Sequence, residues 1–185
     1  MILAIDTFYL SEKAKTVGVL FKDWTDLEPE EIITSWTDQF GPYIPGKFYL
    51  RELPPIMGLL GDIQGKEEKI THIIVDGFLR IHDKEIGKLR EGLGEMLLRR
   101  LKPWNPLLIG VAKKDFGGTG SLYGEALEYI RGPKGSTPLW VQGGGGLSNE
   151  GALQLIRKMK GQYRLPELLR ILDKETKKKV REINP

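Results

Sequence analysis

Apolar positions along the chain fall into short continuous runs separated by polar turns. Residues 2–10 (ILAIDTFYL) open with an unbroken apolar run, the pattern of a strand buried on both faces, and Asp6 interrupts it. SEKAK at 11–15 makes a polar turn and TVGVLFKDW at 16–24 a second strand. A turn from Asp26 to Pro29 leads to EEIITSW, a third strand or strand-like edge. Three strands at hairpin spacing predict an antiparallel meander. THIIVDG at 71–77 repeats the first pattern, an apolar strand ending in Asp76 and a glycine turn, and PLLIGVAK at 106–113 is a buried strand ending in Lys113. Residues 85–101 between them carry the spacing of an amphipathic helix with Lys and Arg on its polar face. Strand, helix, strand predicts a parallel crossover, right-handed by default. The expected fold class is therefore α/β: an antiparallel meander followed by parallel βαβ strands, one mixed sheet flanked by helices.

The stretch 40–55, FGPYIPGKFYLRELPP, breaks this rhythm. Pro42 and Pro45 fix φ and withhold donors, so residues 41–46 are expected to form a stiff, kinked loop holding Tyr43 and Ile44. Such residues can fill a core gap or push between stacked bases as a wedge. Residues 47–63 predict a helix, with Pro54 and Pro55 leaving open whether its regular part begins before them. After Lys113, KDFGGTGS at 114–121 reads as a flexible loop, and 123–132 and 137–142 as two strands joined by GPKGS. The four glycines at 143–146 can be a plain connection or can offer N–H groups to a phosphate, although they lack the lysine and spacing of a P-loop. Ser148 is placed to cap a helix over 149–160. A last helix is expected from Pro166 to Glu182, its charge-dense end read as a solvated face.

Composition narrows the function classes. A chain of 185 residues has room for one domain with a full core, here 1–185. Without cysteine there is no disulfide framework, thiolate zinc site or cysteine nucleophile. No apolar run approaches the roughly 18 residues that a membrane span needs, and no basic segment with an apolar stretch and cleavage site leads into the first strand. The lack of cysteine fits a reducing cytoplasm. Lysine and arginine number 28 against 25 acidic residues, a net charge of +3 that permits nucleic-acid binding without requiring it.

The candidate chemistry rests on three carboxylates and a lysine. Asp6 can cap a turn or serve a site, and Glu52 can be a solvated surface charge or a functional one. If the strands of Asp6 and Asp76 are neighbours, both carboxylates project from one edge of the sheet. Such a cluster repels itself unless a hard cation holds it, and Mg²⁺ (or Mn²⁺) fits an all-oxygen set. A metal so placed activates water and stabilises a leaving oxygen, with Lys113 balancing charge on a scissile phosphate.

Together, AIDTFY, PYIPGKFYLRE, IIVDG with His82 six residues after Asp76, and IGVAK resemble the motifs of the endonuclease V family. The resemblance runs from the first strand to GALQLIRKMKGQYRLPE. It implies a ribonuclease H-like fold, Mg²⁺ dependence, and nicking of a nucleic-acid strand, DNA or RNA, near deaminated adenine (inosine or deoxyinosine). By position, Asp6, Glu52 and Asp76 match the metal-binding carboxylates and Lys113 the active-site lysine. Pro42, Tyr43, Ile44 and Pro45 match the strand-separating wedge. Gly46, Phe48 and Gly77 fall where the family lines its pocket for the flipped base. His82 joins the nucleic-acid-facing set, with an ordinary loop histidine as the alternative. Two motifs depart. Phe78 and Leu79 stand in place of the family's glycine and histidine, and Gln142 to Gly145 occupy a motif whose histidine is missing. The resemblance thus implies a divergent member in which Phe48, Phe78 and Leu79 crowd the base pocket and the four glycines loosen its far wall. The competing readings are an inactive relative that binds nucleic acid or protein, and a metal-dependent phosphohydrolase of small substrates, for which the wedge has no use.

Overall fold

The computed structural model describes residues 1–45, 47–63, 69–83, 87–102 and 104–178. Strands β1 (Ile2–Tyr9), β2 (Ala14–Phe21) and β3 (Glu31–Thr37) form the antiparallel meander. On the other side of β1 lies β4 (His72–Asp76), parallel to it, and then β7 (Leu107–Ala112), parallel to β4. β9 (Leu139–Gly144) and the short β8 (Leu127–Tyr129) complete the sheet antiparallel, in the order β3-β2-β1-β4-β7-β9-β8. This is the mixed sheet that the apolar runs predict.

Successive residues of a strand point to opposite faces, and both faces of this sheet are covered. Ile2 and Ala4 pack into a core with helices α3 (Asn149–Lys158) and α4 (Glu167–Lys177). Leu3 and Ile5 pack into a second core with α1 (Tyr49–Ile63) and α2 (Leu93–Arg100). The unbroken apolar run before Asp6 follows from this two-sided burial. Every residue of β2 is buried for the same reason.

Several elements differ from expectation. Within the segment 85–101 read as an amphipathic helix, Lys88–Glu91 is instead a strand, β6, paired in a hairpin with β5 (Arg80–Asp83), and only α2 is helical. Residues 84–86 lie outside the described residues. Cross-strand pairing won over helical spacing: Arg90 bonds Asp83 across the hairpin, and Gly87 takes φ +61° in its turn. Helix α1 starts at Tyr49 and runs through both prolines. Pro54 has no N–H for the Leu50 carbonyl, and Gly41 of the preceding loop lies over that oxygen so closely that a Cβ would stand 2.7 Å from it. Only 127–129 of the expected 123–132 strand is extended. The glycine run is no loose connection: Gly143 and Gly144 end β9, while Gly145 (φ +68°) and Gly146 (φ +94°) turn the chain towards α3, which Ser148 caps. The last helix ends at Lys177, and 179–185 lie outside the described residues. Among the described residues no helix is long and apolar enough to cross a membrane.

A buried amide helps to fasten the hairpin to the sheet. Gln142, 0% exposed, accepts through Oε1 from the N–H groups of Leu79 (2.8 Å) and Arg80 (3.1 Å). Its Nε2 donates to the carbonyls of Arg80 (3.1 Å) and Glu125 (2.9 Å). Leu79, 1% exposed, fills a socket where glycines 92, 94, 110 and 144 approach it; a Cβ on Gly94 would fall 2.6 Å from that of Leu79. Replacing Gln142 by Leu keeps the volume but takes this partner from two N–H donors and the Arg80 carbonyl, while the Glu125 carbonyl keeps its bond from Asn149 Nδ2 (3.1 Å). We expect Gln142→Leu to cost about 3 kcal/mol or more in denaturant unfolding, because each buried unsatisfied group costs about 1–3 kcal/mol. A loss below about 1 kcal/mol would contradict this account.

Candidate active site

The parallel pairing of β1 with β4 decides where the acids go. Ile5 is the partner of Val75, so the next residues, Asp6 and Asp76, leave the same edge of the sheet side by side. On the neighbouring strand Val111 is the partner of Asp76, and Lys113 follows just past the strand end. The Lys113 ammonium donates to Asp76 Oδ2 (2.6 Å) and to Asp173 Oδ1 (2.5 Å). Carboxylate oxygens of Asp6, Asp76 and Asp173 lie within 4.8 Å of one another. The sequence reading missed Asp173 because it lies in the charge-dense end of the last helix. Its signal was positional: it follows buried Leu169 by four residues, which puts it on the same side of α4.

Glu52, in the first turn of α1, faces the same centre but stands outside the group of three among the described residues. Burial pushes its carboxyl well above the usual range, and the charges of Asp6 and Asp76 push it further. Asp6 is raised to about 6, first by burial and then by Asp76, with Lys113 pulling the other way. Burial also acts on Asp173, yet hydrogen bonds from Lys113 and Lys177 outweigh it and hold that carboxyl low. For Lys113, desolvation is overcome by Asp76 and Asp173, which keep the ammonium charged. Four acids thus confront two lysines, and the surplus negative charge suits a cation. The donors are all hard oxygens, a set that fits Mg²⁺ or Mn²⁺ and not a thiophilic metal. Helix α4 is itself held at its C-terminus by buried Lys15, whose ammonium donates to the carbonyls of Glu175 (2.5 Å) and Lys178 (3.2 Å).

Beside the acids opens a cavity of about 460 Å³. Glu52, Asp76 and Lys113 form its polar end, and Tyr43, Phe48, Phe78 and Phe116 its aromatic walls. Gly77, at φ +129°, also lines it, whereas Gly46 lies outside the described residues. The proline loop fills no core gap: Pro42, Tyr43, Ile44 and Pro45 are all exposed, Tyr43 by 59%. Its base is braced by rings, with Phe48 against both Tyr43 and Tyr9, Phe40 against Tyr9, and the Arg51 guanidinium 4.2 Å from the Tyr9 centroid. Phe48 and Phe78 bring apolar bulk to the cavity as expected, but Leu79 does not, being buried in its glycine socket. The four glycines do not form the cavity's far wall; they border a separate polar recess with Arg80 and Glu95. His82 stacks on Tyr123 with planes 11° apart, and its backbone N–H donates to Thr119 Oγ1.

The raised carboxyls make stability depend on pH. Asp6 goes from 3.8 to about 6 on folding, so the folded state holds this proton more tightly than the unfolded chain. The associated stability is fully present below the unfolded value and is lost as pH rises through the folded one; Glu52 acts in the same sense. Asp173 acts oppositely, but at more acid pH. With chelator present, the protein is expected to melt higher at about pH 5 than at about pH 7.5. Asp6→Asn should narrow that gap, and added Mg²⁺ should raise the melting temperature at the higher pH. Thermal melts across the range check this; a metal-free melting temperature that climbs steadily with pH would contradict it.

No family model matches the chain. Endonuclease V of Trichormus variabilis is 30% identical to it over 85% of this chain and 72% of the relative. Endonuclease V of Pyrococcus horikoshii is 30% identical over 98% of this chain and 75% of the relative. Among solved structures, Ciona intestinalis endonuclease V, in complex with a DNA containing an inosine followed by a ribo-adenosine, superposes with a TM-score of 0.75. That match spans 95% of this chain and 83% of the other at 19% identity, a likeness of fold in keeping with the ribonuclease H-like arrangement. With the sequence likeness spanning nearly its whole length, the chain belongs to the endonuclease V family of nucleases.

Proposed function

We propose that this protein is a divalent-cation-dependent endonuclease that opens a nucleic-acid strand beside an everted base, with weak preference for inosine. The observation that carries the reading is the convergence of Asp6, Asp76 and Asp173 on Lys113 at the polar end of an aromatic-walled cavity. The exposed Tyr43 and Ile44 are suited to part stacked bases, since the prolines on either side keep them from folding back. A base turned out of the stack would enter the cavity and bring its own phosphate towards the acids. A bound Mg²⁺ or Mn²⁺ would supply an activated water and neutralise the leaving oxygen. Asp6, Asp76 and Asp173 would hold that cation, Glu52 would add its charge from α1, and Lys113 would counter charge growing on the phosphoryl oxygens. Retention of this acidic cluster, costly in repulsion, favours catalysis over an inactive binding role.

Specificity is where this chain parts from its relatives. The DNA bound by the Ciona enzyme contains an inosine. Here Tyr43, Phe48, Tyr49, Phe78 and Phe116 present rings to the cavity, and most of its charged groups belong to the ion cluster, so stacking supplies most of the grip. Stacking is worth about 1–3 kcal/mol per base and tolerates every base. Each missing polar contact to a base edge gives up about 1–3 kcal/mol of discrimination.

The deciding experiment is cleavage of inosine-containing and ordinary strands, as DNA and as RNA, side by side at matched salt with Mg²⁺ or Mn²⁺. Cleavage should require the ion, and Asp6→Asn and Asp76→Asn should abolish it while leaving the protein folded. Preference for inosine should stay below about a hundredfold. Failure of the wild-type protein to cut any strand with either ion would refute the nuclease reading, and a larger preference would refute the stacking account.

A further inference from the structure

Arg164 lies in the connection between α3 and α4, partly buried. Its Nε donates to the Thr137 carbonyl (2.7 Å), and its Nη2 to the carbonyls of Pro138 (2.8 Å) and Lys113. Those acceptors belong to two separate segments: the residues leading into β9, and the residue just past the end of β7. One guanidinium therefore ties three parts of the chain together. On one side it holds the backbone of Lys113, whose ammonium bridges Asp76 and Asp173. On the other, Arg164 stands two residues before Pro166, where α4 begins its run to Asp173. Both members of the Lys113–Asp173 pair hang from this fork.

The surrounding backbone gives the fork a fixed mount. Gly132, at φ +89°, comes so near that a Cβ would meet the backbone nitrogen of Arg164 at 2.6 Å. Glu167 N–H donates to the Lys160 carbonyl (2.8 Å), and Arg131 Nη2 to the Gly161 carbonyl (2.7 Å). The residue type matters. A planar guanidinium presents several donors at fixed angles, while an ammonium on a flexible stem acts as a point donor.

We propose that Arg164 is a positioning residue for the acidic centre: by fixing Lys113 and the start of α4 together, it sets the spacing between Asp76 and Asp173. The inference rests on the reading of that centre as a cation site. Its distinctive consequence concerns ion choice. Mg²⁺ demands near-octahedral geometry at short distances, whereas Ca²⁺ accepts looser and more variable shells. Loosening the spacing therefore penalises Mg²⁺ more than Ca²⁺, an imbalance that a general loss of stability does not produce.

The test uses the full chain with Arg164→Lys, which keeps the charge, and Arg164→Gln as a second variant. Arg131→Ala is the control, because it frees the same connection without touching Lys113. Calorimetric titration with Mg²⁺ and with Ca²⁺ is read beside thermal melts and cleavage kinetics. Both Arg164 variants should lose Mg²⁺ affinity and kcat on the order of tenfold, the usual scale for residues that orient metal ligands. Ca²⁺ affinity and KM should stay within about twofold of wild type, as should Mg²⁺ affinity in the control. Equal Mg²⁺ affinity in wild type and both variants would overturn the inference. So would a matching loss in Arg131→Ala, or failure of both Arg164 variants to fold, since either assigns Arg164 to stability alone. A wild type that cuts no strand while its Mg²⁺ affinity still depends on Arg164 would overturn the nuclease reading and leave this inference standing.

Discussion

Like charges brought together at the end of a sheet are the constraint on which this structure turns. Asp6 and Asp76 are set side by side by the parallel register of β1 and β4, and Glu52 and Asp173 are brought up from α1 and α4 on opposite faces. Taking even one ionised carboxylate out of water is expensive, and neighbours of the same sign add to the cost. Lys113 offsets part of it by bridging Asp76 and Asp173, and Lys177 bonds both oxygens of Asp173 at 2.8 Å. What stays uncompensated is concentrated on Asp6 and Glu52, whose protons are held most tightly. The sheet that carries these charges is packed by a hydrophobic core on each face.

The second demand on the scaffold is a rigid border for the cavity. The hairpin of β5 and β6 lies outside the main sheet and contributes Ile81 to the cavity lining. Its attachment combines an apolar plug with a polar clasp: Leu79 among glycines, and Gln142 with every donor and acceptor of its amide engaged. Gln142 and Gly144 both come from the stretch 142–145 where the sequence resemblance breaks, and here they hold the hairpin in place.

Much of the fold was legible from residue pattern. Apolar runs closed by Asp6, Asp76 and Lys113 announced buried strands with a charged edge, because two-sided burial leaves an unmistakable signature. Asp173 escaped because helical periodicity near a chain end is drowned by the lysines and glutamates around it. The hairpin escaped because Leu89 and Leu93 satisfy helical spacing as well as strand alternation, and only the long-range contacts of Leu79 decide between them. The fate of Leu79 was illegible for a related reason. Its neighbour Phe78 faces the cavity, and nothing local reveals that four glycines distant in sequence leave a hole of leucine's shape.

The pairing of Pro54 with Gly41 has a mechanical consequence. A proline inside a helix ordinarily leaves a carbonyl to water, yet here the backbone of the protruding loop is seated on the freed oxygen of Leu50. Leu50 precedes Glu52 by two residues within the same rigid turn of α1. Loop and carboxylate are therefore one lever, with Tyr43 at the long arm and Glu52 near the fulcrum. In the proposed nuclease, a load taken up by the loop would reach the turn of α1 that carries Glu52 through this contact.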